Sequence, residues 1–155
     1  MLLPFFTWCE STAVGEAIRA SLWLFPAIES VHLLALALLG GTVIAVSLRL
    51  LGLTLTKQPV PQLWHDLRLW LMGSLSVMLA SGLPLFLSES IKLYYSDAFW
   101  VKMSALALAS AFTFTAVRRV ALAPHRRPLR DRVVGFVALV LWLTVGAAGR
   151  WIGFS

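Results

Sequence analysis

Charge is scarce in this chain. Of its 155 residues, 13% are charged and 59% are hydrophobic, and the mean hydropathy is +0.84. A water-soluble domain carries about 25% charged residues, so an ordinary soluble fold is excluded and a membrane protein is expected. Cysteine is limited to Cys9, which excludes an intramolecular disulfide framework and a Cys-rich metal site. Cys9 itself reads as a buried or interfacial small side chain. His-Glu-x-x-His, a phosphate-binding glycine loop, Gly-x-Ser-x-Gly and paired carboxylates on one helix are all missing, so the enzyme classes those signatures mark are not expected. The N-terminus lacks a basic region and a small-residue cleavage site, so no removable signal peptide is expected.

What the chain does have is four long apolar runs, at about residues 22–44, 67–87, 98–117 and 133–152. Each has the roughly 20 residues needed to span a hydrocarbon core. The first run can continue helically to about Leu53, with Arg49 reaching the headgroups. Pro59 with Pro61, and Pro124 with Pro128, break the chain between runs. Ahead of the first run, residues 11–20 form a short interfacial helix with Ser11 or Thr12 as its N-cap. Pro26 either begins the first span or kinks it. The expected fold is an all-α membrane protein, a four-transmembrane-helix bundle with a short N-terminal interfacial helix, in one integral membrane domain over residues 1–155.

Orientation follows from the basic residues, because short cytoplasmic loops retain Lys and Arg. The two proline-containing connections carry nine of them (Arg49, Lys57, Arg68, Arg118, Arg119, Arg126, Arg127, Arg130 and Arg132), and the other side carries four (Arg19, Lys92, Lys102 and Arg150). The Arg-rich 118–132 connection is therefore expected in the cytoplasm of a bacterial inner membrane, with both termini periplasmic. Anchoring to anionic lipid accounts for the basic run, so the lipid bilayer is the expected partner and nucleic acid is not. Trp23, Trp64, Trp70, Trp100, Trp142 and Trp151 fall near the ends of the runs, as in an aromatic belt.

Inside the first run stand Glu29 and His32, three residues apart on one helix face. Lys102 lies about one turn into the third run. Ionisable groups in hydrocarbon are costly and find partners inside the bundle. Glu29 lies ~10 Å in from the start of its run and Lys102 ~6 Å, counting 1.5 Å per residue. The matched depths suggest a buried polar cluster of Glu29, His32 and Lys102, with Glu29 paired to Lys102 and His32 bonded to a serine such as Ser76, Ser81 or Ser104. Two readings stay open: an ion pair that sets helix register, and a proton, metal or substrate site opening outward. Glu89 and Lys92 could extend the site or be solvated loop charges.

A haem b between helices generally needs two facing axial ligands. His32 is the one histidine inside a run, while His65 and His125 fall at the opposite membrane surface, ~20 Å or more away along the helix axis. No complete cofactor site is expected within one chain. His32 remains a possible metal ligand, for haem completed by another subunit or for copper held with Cys9 or a methionine.

The runs Trp8-Cys-Glu-Ser-Thr12, Ala17-Ile-Arg-Ala-Ser-Leu-Trp-Leu-Phe-Pro26, Ile28-Glu-Ser-Val-His-Leu-Leu-Ala-Leu-Ala37 and Leu48-Arg-Leu-Leu-Gly-Leu53, with Ser88-Glu-Ser-Ile-Lys92 and Trp100-Val-Lys-Met103, resemble the bacterial inner-membrane family catalogued as domain of unknown function 6644. The pattern departs at Ser47, where the family often has an acidic residue. The resemblance supports the fold and the positions Glu29, His32 and Lys102, and implies no reaction.

Two function classes follow. One is a binding or accessory subunit of a membrane complex, whose partner is a membrane or periplasmic protein or a second copy of the chain. The other is a redox or transport component handling haem, copper or protons through Glu29, His32 and Lys102. The incomplete ligand set favours the first. The basic asymmetry also predicts that alkaline phosphatase fused after Ser155 is active in a bacterial host; an inactive fusion, with a cytoplasmic reporter active at the same place, reverses the orientation.

Overall fold

A computed structural model describes residues 2–152, and all its regular structure there is helical. In chain order these are α1 (Leu3–Glu10), α2 (Ala13–Ala20), α3 (Leu24–Leu51), α4 (Val60–Ser88), α5 (Ser90–Tyr94), α6 (Asp97–Phe112), a π-helical turn (Thr113–Val117), α7 (Arg118–Ala121) and α8 (Pro128–Ile152). α6, the π turn and α7 form one continuous rod. Four helices are thus long and apolar enough to cross a membrane: Leu24–Leu51, Val60–Ser88, Asp97–Ala121 and Pro128–Ile152. At 1.5 Å per residue each is longer than the ~30 Å hydrocarbon core, so their ends reach the headgroup layer. The protein is a multi-pass all-α membrane protein.

Local chemistry sets the helix ends. The Ser21 hydroxyl accepts from the backbone N–H groups of Trp23 and Leu24, both at 3.3 Å. Pro26 lies in the first turn of α3, where the backbone nitrogens have no intrahelical acceptor to lose, so it begins the helix. α3 runs on to Leu51 and stops at Gly52, whose φ of 78° is a left-handed conformation natural to glycine. There the Gly52 and Leu53 N–H groups close onto the Arg49 and Leu48 carbonyls. Pro59 and Pro61 do break the chain, and they also open α4, seven residues ahead of the expected span. Arg49 donates to the carbonyls of Thr56 and Gln58, at 3.3 and 2.9 Å, so it braces the loop instead of reaching for headgroups.

α3 packs against α4 and α8, and α6 packs against α8, while the rod meets α4 through α7. The middle of the bundle is apolar, around Leu39, Leu71, Met78, Ala109 and Val145. Near the Arg-rich end Trp64, Leu50 and Val120 form a second cluster. Gly135 lets α8 touch α3, since a Cβ there would stand 2.8 Å from the Ser47 carbonyl oxygen. Trp64 and Trp142 are core residues, 5% and 7% exposed, and do not belong to the belt. Trp142 is accommodated because its indole N–H donates to the Thr113 hydroxyl at 3.0 Å, at the start of the π turn.

The opposite end carries a crown. Sequence reading finds one short helix here, whereas the structure has α1, α2 and α5. Thr12 separates the first two by accepting from the Gly15 N–H at 3.3 Å. Arg19 on α2 donates to the Ser88 carbonyl at 2.9 Å and the Glu10 carbonyl at 2.7 Å. The Glu10 carboxylate accepts from the Ile91 N–H at 2.6 Å in the first turn of α5. A Cβ at Gly15 would stand 2.5 Å from the Leu87 carbonyl oxygen, so only glycine permits this approach of α2 to α4. Phe6 seals the crown against Phe86, Tyr94 and Phe99, and Ile152 joins that cluster.

Cys9 is 3% exposed beneath this crown and reports on its opening. Arg19→Met removes two charge-assisted hydrogen bonds, and a loss of about 1.4 kcal/mol corresponds to a tenfold change in an opening equilibrium. Maleimide labelling of Cys9 in detergent micelles is expected to accelerate about tenfold in Arg19→Met and at least as much in Gly15→Val. Unchanged labelling rates would show that the crown does not depend on these contacts.

Candidate functional site

Near the crown end, the bundle brings together polar groups from three helices, with a glycine of the fourth beside them. His32 lies ~12 Å from the start of α3, Ser81 ~10 Å from the end of α4, and Lys102 ~8 Å from the start of α6. His32 leans on α4: its Nδ1 is 3.0 Å from the Ser81 hydroxyl oxygen. Gly82 makes room for the ring, since a Cβ there would meet the imidazole Cε1 at 3.2 Å. Lys102 lies along α8, its Cε and Nζ 3.5 and 3.6 Å from where a Cβ at Gly149 would be. His32 and Lys102 are both half-buried.

The hydrogen-bond pattern favours one tautomer of the neutral ring. A serine hydroxyl has one proton to give, and Ser81 directs it to the Val77 carbonyl at 2.7 Å, with a longer contact to the Met78 carbonyl at 3.3 Å. With the Ser81 proton so directed, Nδ1 of His32 is the donor to Ser81. In a neutral imidazole this leaves Nε2 as an acceptor, able to take a proton or meet an electrophile. Lys102 forms no ion pair among the described residues.

Glu29 does not join the cluster. It is exposed and forms no ion pair with Lys102. Three residues along a helix turn a side chain by about 60° from its neighbour's direction. With His32 seated against α4, Glu29 falls outside the packed face, about one turn from the start of α3, where water or headgroups can solvate it. α3 also packs on α4 and α8, with α6 beyond α8. Glu89 is half-buried at the junction of α4 and α5, and Lys92 is exposed. Ser76 and Ser104, the other serines considered for His32, are exposed.

His65 lies within α4, not in a loop, and is exposed. Sixteen residues separate it from Ser81, about 24 Å along the helix, so it cannot share a ligand with His32. His125 is exposed in the connection before α8. No group of three or more His, Cys, Asp and Glu side chains comes together among the described residues, so His32 is a single potential ligand from this chain. The sequence reading also missed Asp131. It is 2% exposed and pairs with Arg126 Nε at 2.8 Å, in the first turn of α8, where a carboxylate favours the helix dipole. Nothing in its charged neighbourhood marks it as buried, and only the packing of α8 does so.

The sequence model of a family of unknown function, DUF6644, matches residues 5–155. The chain belongs to this family. The DUF6644 match takes in the crown and all four spans, so the elements that build the His32 and Lys102 site lie within the family region. Neither a curated protein nor a solved structure matches the chain.

The tautomer can be checked directly. In protein labelled with ¹⁵N at histidine, His32 is expected to show a protonated Nδ1 and an unprotonated Nε2 at neutral pH. Ser81→Ala removes the acceptor, costing about 1–3 kcal/mol of stability and shifting the ring toward the other tautomer. A protonated Nε2 with a bare Nδ1 in the unsubstituted protein would contradict the assignment.

Proposed function

We propose that this membrane protein is a non-catalytic binding subunit of a membrane complex, and that it receives an acidic group between His32 and Lys102. The observation that carries this reading is the charge of Lys102, inside a spanning helix and without an anion among the described residues. A half-buried cation of this kind costs free energy unless an opposite charge comes to it. A carboxylate on a partner protein or a small ligand supplies that charge. The ammonium group contributes charge-assisted hydrogen bonds, and Nε2 of His32 accepts from any hydroxyl or protonated acid beside it. The donor set suits recognition more than electron transfer, since the site offers one imidazole and no cluster of metal ligands forms among the described residues.

In this reading the Arg-rich end faces the cytoplasm of a bacterial inner membrane and the crown faces the periplasm, in keeping with the basic asymmetry. The site then takes its acidic partner from the periplasmic side or from a neighbouring subunit within the membrane.

The test uses purified protein in a neutral detergent, at constant ionic strength, with acetate replacing chloride. Acetate is expected to raise the unfolding temperature of the unsubstituted protein and of Lys102→Arg, and to leave Lys102→Met unaffected. His32→Gln is expected to weaken the acetate effect about tenfold. An acetate shift that survives in Lys102→Met would refute the site. A bound haem or copper in the absorption spectrum and metal analysis would favour the redox reading over this one.

A further inference from the structure

Between the crown and the start of α6 lies an open groove of about 620 Å³, lined by Leu2, Tyr94, Tyr95, Asp97 and Trp100. It is separate from the His32 and Lys102 site, and its chemistry is of the opposite sign. We infer that this groove binds an ammonium cation, held between aromatic faces and neutralised by Asp97.

The aromatic walls are set by contacts. Tyr94 and Tyr95 stand at 83° to one another with their ring centres 5.0 Å apart, so adjacent residues present surfaces at right angles. Trp100 is fixed from two directions: its indole N–H donates to the Tyr94 carbonyl at 3.1 Å, and its ring rests on Phe99 at 5.6 Å and Phe6 at 6.0 Å. A tryptophan serving only to anchor the helix at the interface would turn that N–H to headgroups or water. Here it is spent inside the protein, and the indole is held at the groove wall. Tyr95 and Trp100 remain 70% and 40% exposed, which leaves ring surface free for a ligand.

Charge decides what occupies the groove. The quadrupole of an aromatic ring attracts a cation within about 6 Å of its centre, and alkylated ammonium groups suit such walls because they shed water easily. Asp97 is exposed at the first residue of α6 and has no ion pair among the described residues. Lys92, the neighbouring cation of α5, does not pair with it. A carboxylate beside several rings favours a positive ligand over an anion or a plain hydrocarbon. The same ammonium chemistry occurs in a choline lipid headgroup and in a free methylated ammonium compound.

Tetramethylammonium is the probe, followed by saturation-transfer NMR of its methyl protons with the full chain in nanodiscs of phosphatidylglycerol. Transfer is expected in the unsubstituted protein, with potassium at equal ionic strength failing to compete. Asp97→Asn is expected to weaken binding about tenfold, and Tyr95→Leu to abolish it, while Tyr95→Phe retains it. Tyr95 is exposed enough for these variants to fold, and an unchanged unfolding temperature verifies that they do. In phosphatidylcholine nanodiscs, loss of transfer identifies the lipid headgroup as the occupant, and retained transfer identifies a soluble ammonium ligand. Absent transfer, transfer unaffected by Asp97→Asn and Tyr95→Leu, or equal competition by potassium overturns the proposal. The acetate response of Lys102 is independent of all these outcomes, so either site can fail without the other.

Discussion

Inside a hydrocarbon layer a polar group has to find its partner within the protein, and that requirement orders this structure from backbone to candidate site. The spanning helices satisfy their own amides, and their hydroxyls follow the same rule. Ser74 donates to the Trp70 carbonyl, Ser81 to Val77 and Thr144 to Val140, each one turn back along its own helix. A hydroxyl spent in this way can still accept, and the contact of His32 with Ser81 uses that remaining capacity. Trp142 donates to the Thr113 hydroxyl, and His32 Nδ1 and the Ser81 hydroxyl share a hydrogen bond. The protonation pattern of the imidazole is thus a consequence of how a neighbouring helix satisfies a serine.

The two ends of the bundle solve their polar problems differently. At the crown end, charged side chains serve helix termini: Arg19 meets the last carbonyls of α4 and α1, and Glu10 meets an amide at the start of α5. These caps hold α1 and α2 across the end of the bundle and place Phe6 over the aromatic cluster. At the other end Arg49 braces its loop, and Asp131 is buried with Arg126 against it. Lys102 lies along α8 at Gly149, within a spanning helix and with no counterion among the described residues.

Much of this was legible in the chain. The four spans follow from runs whose length and hydropathy have no other stable placement, and Pro59, Pro61 and Pro124 mark their separations. His32 and Lys102 stood out as ionisable residues in apolar context, and Ser81 was among the serines within reach. Gly82 and Gly149 gave no such signal. A glycine that admits a side chain from another helix reads the same as one that merely lets backbones approach, and the partner decides which it is. Glu29 failed for a related reason: a spacing of three places residues near one another on a helix, but 60° of rotation is enough to put one inside the bundle and the other outside.

The sequence by itself determined the class of the protein, the number of spans and where the polar residues would be rare enough to matter. Those properties depend on composition and run length, which the solvent reads residue by residue. Only the tertiary structure decided which helices are neighbours, that α8 stands beside both α3 and α6, and that Lys102 rests on Gly149 while Glu29 stays outside. Helix rotation and neighbour choice are set by the packing of whole faces, through many small contacts between residues distant in the chain. No local pattern encodes their sum, so the membership of the site emerged only when the four helices were packed together.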